Sequence, residues 1–224
     1  MKDLTAIFLT VNKVPKKWAK YHRKVVSKAL GDTPVISITR EPSDWGTNII
    51  QKEPVKTSNV YRQMLRGAKL ATTPYIAVIE DDTLYPEEHF TYRSPLDTFA
   101  YNMNRAGLFT WGNPTYFWKL RVNNSTLIAP REQLIKALEE KFNKYPDGVP
   151  NGLAGELGRK DIEGKLGVSA QKTIEFKTTI AIVSFGHDFS MEPLQQNHRK
   201  RMGFIRAFDI PYWGKASEVV KHFV

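Results

Sequence analysis

Cysteine is absent from this chain of 224 residues. Its absence excludes disulfide bonds, thiolate zinc sites and a cysteine nucleophile, so any metal must be held by oxygen or imidazole ligands. Long apolar runs are also missing. No segment approaches the length of a membrane span, and the run from Leu4 to Leu9 is too short for a signal peptide. We therefore expect a cytoplasmic protein with no transmembrane segment.

Acidic residues are outnumbered, since 33 Lys and Arg stand against 23 Asp and Glu and give a net charge of +10. A field of this sign attracts polyanions such as DNA, RNA or an anionic membrane surface, although lysines that only maintain solubility produce the same balance. Two groups of basic residues stand out. The basic ridge is Lys16, Lys20, Lys24 and Lys28, and the basic cluster is His198, Arg199, Lys200 and Arg201. A solvated helix face explains the ridge as well as a polyanion track does.

Strand-like and helix-like segments alternate through the first part of the chain. Strand patterns cover Thr5 to Val11, Pro34 to Arg40 and Tyr75 to Ile79, whereas helical patterns cover Pro15 to Leu30 and Asn59 to Ala71. This alternation predicts an α/β fold in which helices flank a mixed, mostly parallel sheet. A hydrophobic content of 41% supplies an ample core, so we expect one domain over residues 1–224.

Three consecutive carboxylates, which we call the acidic tip, follow the apolar strand that begins at Tyr75. They are Glu80, Asp81 and Asp82. Ligands bind at the carboxyl ends of parallel strands, and hard oxygen ligands there suit Mg²⁺ or Mn²⁺ bridging a pyrophosphate. Acids are also common in turns after strands, which is the simpler explanation. The repulsion among buried carboxylates favours a metal–nucleotide site.

The acidic tip and the helix before it resemble the nucleotide-sugar glycosyltransferases of the GT-A fold, particularly those of family 2. The matching positions are Gly67, Ala71, Tyr75, Ile76 and the acidic tip. Glu80 replaces the first Asp of the usual Asp-x-Asp, and Leu65 stands where Asn is usual. The resemblance implies a metal-dependent, inverting transferase of the GT-A type. Residues 1–84 would bind the nucleotide sugar, and residues 85–224 would bind the acceptor and include the basic tail.

The resemblance also implies roles for the acidic tip and for a histidine late in the chain. Asp82 would ligate Mn²⁺ or Mg²⁺, Glu80 would assist directly or through water, and Asp81 would contact the sugar or ribose. His187 follows a β-rich segment from Lys172 to Phe185, and we expect it to complete the metal site, with His198 as the second choice.

The same resemblance indicates donor-binding residues at the ends of the first two strands. The candidates for the base and ribose are Thr10, Asn12, Arg40 and Asp44. Arg62 and Arg66 lie one turn apart on the helix before the acidic tip, where they either reach the diphosphate or coat the surface.

The second half contains the candidates for catalysis and acceptor binding. By resemblance Glu156 is the general base and Asp161 its substitute, although either is also explained as a solvated loop acid. Trp111, Tyr116 and Trp118 surround a Gly-Asn-Pro turn. They form either a stacking platform for the acceptor or an aromatic core.

The charge and the exposed aromatic residues favour a nucleic acid as the acceptor. We predict transfer to hydroxymethylated pyrimidines in DNA by a virus-encoded enzyme of the host cytoplasm, with Arg199, Lys200 and Arg201 on the acceptor backbone. A glycan or lipid-linked acceptor is the alternative within the enzyme class. A catalytically silent nucleic-acid-binding module is the alternative outside it.

Overall fold

The computed structural model describes residues 2–54, 56–118, 120–150, 152–187 and 205–224. Its strands, in chain order, are β1 (Leu4–Leu9), β2 (Val35–Thr39), β3 (Thr47–Ile50), β4 (Tyr75–Glu80), β5 (Thr83–Leu84), β6 (Thr98–Asn102), β7 (Arg105–Phe109), β8 (Tyr116–Trp118), β9 (Leu127–Pro130), β10 (Lys172–Phe176), β11 (Ile182–Gly186), β12 (Ile205–Ala207), β13 (Asp209–Ile210) and β14 (Gly214–Lys215). Its α-helices are α1 (Lys16–Leu30), α2 (Thr57–Leu70), α3 (Arg131–Lys144), α4 (Lys160–Leu166) and α5 (Ala216–Val220). Glu87–Thr91 and Asn124–Thr126 are short 3₁₀ helices.

A seven-stranded central sheet has the order β10-β6-β9-β4-β1-β2-β3. All its pairs are parallel except those that β9 makes with β4 and β6. The fold class predicted from the sequence, α/β with a mixed, mostly parallel sheet flanked by helices, is confirmed. The parallel strands β1, β2 and β4 therefore end at one edge, and the acidic tip lies at that edge.

Strand β1 is buried on both faces, because its side chains alternate between two hydrophobic clusters. Ile7 packs with Met64 of α2 on one face of the sheet. Phe8 packs with Val26 of α1 on the other face. This alternation follows from the two-residue period of a strand and explains why the segment lacks a polar side.

A second sheet, of order β12-β8-β7-β11-β5, adjoins the central sheet. Its core contains Trp18 of α1 together with Leu84, Phe185 and Phe223. Strand β5 begins one residue after the acidic tip and pairs with β11, which leads to His187. The acidic tip consequently lies where the chain passes from one sheet to the other.

The β-rich segment from Lys172 to Phe185 is two strands in different sheets, β10 and β11, joined by residues 177–181. Two contacts from distant residues bend the chain there. The Asn102 side chain donates a hydrogen bond to Thr178 Oγ1 (2.8 Å), and the Glu88 carboxylate accepts one from Thr179 N (2.8 Å). No helix in the described part of the chain combines the length and apolar character needed to cross a membrane.

Candidate functional site

The backbone of the acidic tip is fixed by side chains and strands on both sides of it. The indole Nε1 of Trp18 donates a hydrogen bond to Asp81 O (2.6 Å), and the Tyr85 hydroxyl accepts one from Glu80 N (3.0 Å). The carbonyl of Asp82 accepts a further bond from Phe185 N (2.9 Å). These contacts hold three adjacent carboxylates at one edge of the sheet.

The end of β1 is hydrogen-bonded to the acidic tip. Thr10 Oγ1 donates to Asp81 Oδ2 (2.5 Å) and accepts from Asn12 N (2.8 Å). Asn12 has a φ of 57°, a conformation that Asn tolerates better than most residues, and its Oδ1 accepts from the backbone nitrogens of Arg40 (2.7 Å) and Glu41 (3.2 Å). Thr10 and Asn12 are both predicted to bind the nucleotide sugar. Their hydrogen bonds connect the ends of β1 and β2 to the acidic tip.

Burial and the repulsion of neighbouring carboxylates make Glu80 and Asp81 costly to ionise. Burial is the main cause that raises the pKa of Glu80 to about 8, and the charges of Asp82 and Asp81 add to it. Burial likewise raises the pKa of Asp81 to about 7, with a further contribution from Asp82. A bound cation would offset this cost, because a nearby positive charge favours the ionised form of a carboxyl group.

The candidate metal ligands Asp82 and His187 lie beside each other, with 3.5 Å between Asp82 Oδ2 and His187 Nε2. Within the described residues, no three His, Asp or Glu side chains converge as a ready-made metal centre. Mg²⁺ is usually held by one or two carboxylates together with substrate phosphates and water. The residues therefore fit a cation that shares its coordination with a diphosphate.

A cavity of about 200 Å³ opens directly over the acidic tip, and we call it the donor cavity. Its walls include the acidic tip, His187, Thr10, Lys13, Arg40, Lys56, Asn59 and Gln63. Asn59 and Gln63 are buried polar residues one turn apart on α2, and neither is among the residues predicted from the sequence. Gln63 donates a hydrogen bond to the Gln51 side chain (2.5 Å). Their four-residue spacing on an otherwise apolar helix face is the signal that would have found them.

A larger cleft of about 670 Å³ lies on the α1 side of the sheet and meets the donor cavity at Thr10, Val14 and Asp81. Asp44, which is predicted to bind the nucleotide sugar, lines this cleft, and its exposed side chain forms an ion pair with Arg23. The structure therefore places Arg40 and Asp44 in different cavities.

Arg62 and Arg66 do not line either cavity. Arg62 donates a hydrogen bond to Pro146 O and lies over the Phe142 ring, 4.4 Å from its centroid. Arg66 forms an ion pair with Glu53. The sequence leaves two roles open for these arginines, diphosphate binding and a place on the surface. Their contacts in the structure are with other surface groups of the protein.

Glu156 lies near the acidic tip although it comes from a distant loop. Tyr101 at the end of β6 donates a hydrogen bond to Leu157 O (2.8 Å), which anchors that loop at the same edge of the sheet. The negative charge of Glu156 contributes to the raised pKa of Glu80. Its side chain is 16% exposed and lies 3.8 Å from Arg159. Asp161, in contrast, is exposed and paired with Arg159 at 3.0 Å.

The aromatic candidates are divided between core and surface. Tyr116 is fully buried in the core of the second sheet, so its ring does not form a surface platform. Trp118 is partly buried and donates from Nε1 to the Asn104 side chain (3.0 Å). Trp111 is partly buried against Phe109, with 4.8 Å between the ring centroids.

The basic residues fall inside and outside the described part of the chain. The basic ridge on α1 is exposed, and Lys16 and Lys20 line the larger cleft. The basic cluster, His198, Arg199, Lys200 and Arg201, lies outside the described residues.

Comparison with known proteins finds no matching family model and no matching curated protein. Several solved structures have a similar chain path at low identity. A glycosyltransferase involved in the glycosylation of the major capsid of PBCV-1 is 9% identical, with a TM-score of 0.49 over 81% of this chain and 91% of that one. A mannosyltransferase from Pyrobaculum calidifontis, in complex with GDP-Man and Mn²⁺, is 13% identical, with a TM-score of 0.45 over 89% and 59% of the two chains. A Drosophila β1,4-galactosyltransferase 7 mutant, in complex with manganese, UDP-Gal and xylobiose, is 11% identical, with a TM-score of 0.41 over 93% and 77%.

Proposed function

We propose that this protein is a metal-dependent glycosyltransferase that moves a sugar from a nucleotide sugar to an acceptor hydroxyl. The acidic tip is the observation that carries the proposal. Its three carboxylates adjoin a cavity at the carboxyl ends of parallel strands, and burial raises the pKa of two of them, Glu80 and Asp81. A divalent cation would offset the repulsion between these carboxylates and an anionic diphosphate.

The donor cavity offers distinct groups to the parts of a nucleotide. Arg40, Asn59 and Gln63 supply hydrogen-bonding groups to the lining of the cavity, and Lys13 and Lys56 supply positive charge. Asp82 and His187 would hold the cation on the diphosphate, and Asp81 would contact the sugar or ribose. The bound Mn²⁺ or Mg²⁺ would neutralise charge on the leaving diphosphate.

Glu156 is the proposed general base. It would accept the proton of the acceptor hydroxyl while that oxygen forms a bond to the anomeric carbon. The bond between this carbon and the diphosphate oxygen breaks, and its electron pair leaves with the nucleoside diphosphate. Attack on the face opposite the leaving group inverts the configuration. The support for Glu156 over Asp161 is its electrostatic proximity to Glu80 and its low exposure.

A polyanionic acceptor, in particular DNA with hydroxymethylated pyrimidines, remains our proposal for the second substrate. Its support is the net charge of +10 and the exposed basic ridge on α1. Each phosphate that is neutralised releases counterions, so binding of a labelled duplex should weaken steeply as salt rises. If no duplex binds at low salt, the acceptor is instead a glycan or lipid-linked sugar.

A thermal-shift screen of nucleoside diphosphates and nucleotide sugars, with and without Mn²⁺, tests the function. A ligand at one hundred times its Kd stabilises the folded protein by about 2.7 kcal/mol, which corresponds to a rise in Tm of several degrees. Asp82→Asn should abolish the Mn²⁺-dependent rise and the transfer of sugar. Asp32→Asn, which removes an exposed carboxylate after α1, is the matched control. Normal turnover in Asp82→Asn, or no rise with any nucleotide in the wild type, would refute the proposal.

A further inference from the structure

Arg105 lies close enough to the acidic tip to interact with it electrostatically, and no described residue accepts a hydrogen bond from its guanidinium group. Its Nε is buried and has no partner, and no hydrogen bond or ion pair joins Arg105 to another described residue. Arg105 acts electrostatically on Glu80, Asp82 and Glu156. A buried donor without an acceptor is costly, so this arginine has unused binding capacity at the site.

Strand pairing explains why Arg105 lies near the acidic tip. Arg105 begins β7 and is level with Ile182 of β11, next to the pair formed by Val183 and Leu84. β11 separates β7 from β5, so Arg105 is two strands, or about 10 Å, from the strand that leaves the acidic tip. It approaches the acidic tip from the second sheet, whereas β1 belongs to the central sheet.

Arg121 is a second arginine, and it lies close enough to Arg105 to act on it electrostatically. Trp118 ends β8 and pairs with Ala106, the neighbour of Arg105, and Arg121 follows Trp118 by three positions. The charge of Arg121 is, after burial, the largest influence that lowers the pKa of Arg105, which places the two cations close together. Arg121 is exposed and has no ion pair or hydrogen bond with any described residue.

We propose that Arg105 and Arg121 form a phosphate-binding subsite next to Glu156, and that it holds a phosphate group of the acceptor. Two adjacent guanidinium groups offer more donors than a carboxylate can accept, whereas a phosphate has enough terminal oxygens for both. The subsite would fix the acceptor so that its hydroxyl lies between Glu156 and the donor. This inference rests on the proposed function for its substrate, but the phosphate site itself can be tested separately.

The position of the arginines favours the acceptor over the donor as the source of the phosphate. Neither Arg105 nor Arg121 lines the donor cavity, whose walls come from the end of β1 and the loop after it, Arg40, α2 and the segment before it, the acidic tip and His187. Glu156, the proposed base for the acceptor hydroxyl, is among the groups that act on Arg105. The donor diphosphate would lie on the other side of the carboxylates.

Calorimetric titration with inorganic phosphate tests the subsite in two states of the protein. One state is the protein alone, and the other is the protein saturated with Mg²⁺ and the nucleoside diphosphate that gives the largest thermal shift. Phosphate should bind in both states. Arg121→Gln and Arg105→Gln should each weaken it about tenfold or more, because each removes a charge-assisted hydrogen bond. Lys172→Gln, which removes one exposed cation from β10, should change the affinity less than twofold.

The outcomes show whether the bound phosphate belongs to the donor or to the acceptor. They also show whether the subsite or the proposed function is refuted. If the nucleoside diphosphate displaces phosphate and Arg121→Gln weakens nucleoside diphosphate tenfold, the arginines bind the donor and the acceptor assignment is overturned. If both arginine variants bind phosphate like the wild type, the subsite is refuted. Arg121 is exposed, so Arg121→Gln keeps the test valid even if Arg105→Gln fails to fold. Absence of nucleoside diphosphate binding in the wild type refutes the proposed function alone, since the titration of the free protein still reports on the arginines.

Discussion

Gly67 allows α2 to lie unusually close to β1, and replacing it with alanine should destabilise the protein. A Cβ at this position would lie 2.7 Å from both Cδ1 and Cγ2 of Ile7 and 2.9 Å from Cγ1. Ile7 is fully buried, so its side chain has little room to move. The same helix carries Asn59 and Gln63 into the donor cavity, so the close approach also sets one wall of the site.

Two opposing effects determine the size of the change. Alanine favours the helical state over glycine by about 1 kcal/mol. Overpacking a dense core costs about 1–3 kcal/mol, and contacts of 2.7 and 2.9 Å with three carbon atoms of one side chain put this position at the upper end. Gly67→Ala should therefore lower the free energy of unfolding by about 1–2 kcal/mol.

A double-mutant cycle in urea tests this reasoning. Ile7→Ala alone should cost about 2–5 kcal/mol, because it leaves a cavity in the core. In the double variant the new methyl group enters that space, so the total loss should be smaller than the sum of the single losses by about 1–2 kcal/mol. Thermal shift with Mn²⁺ and nucleoside diphosphate should also weaken in Gly67→Ala and recover in part in the double variant. Strict additivity, or a Gly67→Ala variant more stable than the wild type, would refute the packing argument.

Two further predictions concern the proposed base and a buried histidine. Glu156→Gln should lower kcat by roughly a hundredfold or more with nucleoside diphosphate affinity unchanged, whereas Asp161→Asn should retain activity; the opposite pattern in steady-state assays would move the base to Asp161. His89 is fully buried among aromatic rings, and burial lowers its pKa to about 3. The unfolded chain, in which His has a pKa of about 6.5, therefore takes up the proton first, and stability falls as the pH drops from 6.5 towards 3. Between pH 7.5 and 4.5 this group should account for about 3 kcal/mol of lost stability. His89→Phe should remove that part of the loss in urea titrations at the two pH values, and an unchanged acid sensitivity would contradict the assignment.

The central strands and the acidic tip could be predicted because their signals are local. An apolar run that ends in carboxylates identifies β4 and the sheet edge from consecutive residues alone. The turn at Thr178 could not be predicted, since Asn102 and Glu88 create it from distant positions. Tyr116 shows the same limit, because only the packing of the second sheet decides that an aromatic residue beside a turn is buried.

The arginines illustrate why the contacts of long charged side chains were harder to predict than the strands. Arg62 and Arg66 have the expected spacing, but their contacts depend on the loop before α2 and the end of α3. Arg105 has no local pattern at all, as it is one basic residue at the start of a strand. The pairing of β7 with β11 brings Arg105 towards Glu80 and Asp82, which lie more than twenty positions earlier in the chain.

The passage of the chain from the central sheet to the second sheet at the acidic tip limits how the protein can be re-engineered as the proposed transferase. Residues 1–84 invite use as a transferable donor module, to be fused to a different acceptor half. However, Thr83 and Leu84 form β5, whose strand partners in β11 lie about a hundred positions later, and β6, β9 and β10 complete the central sheet from beyond residue 84. A chimera joined after Leu84 would replace the acceptor half of the protein. It would also lose β11, including the hydrogen bond from Phe185 N to the carbonyl of Asp82. Loops that leave the strand pairs intact, such as residues 110–115 between β7 and β8, are the sounder places to exchange specificity.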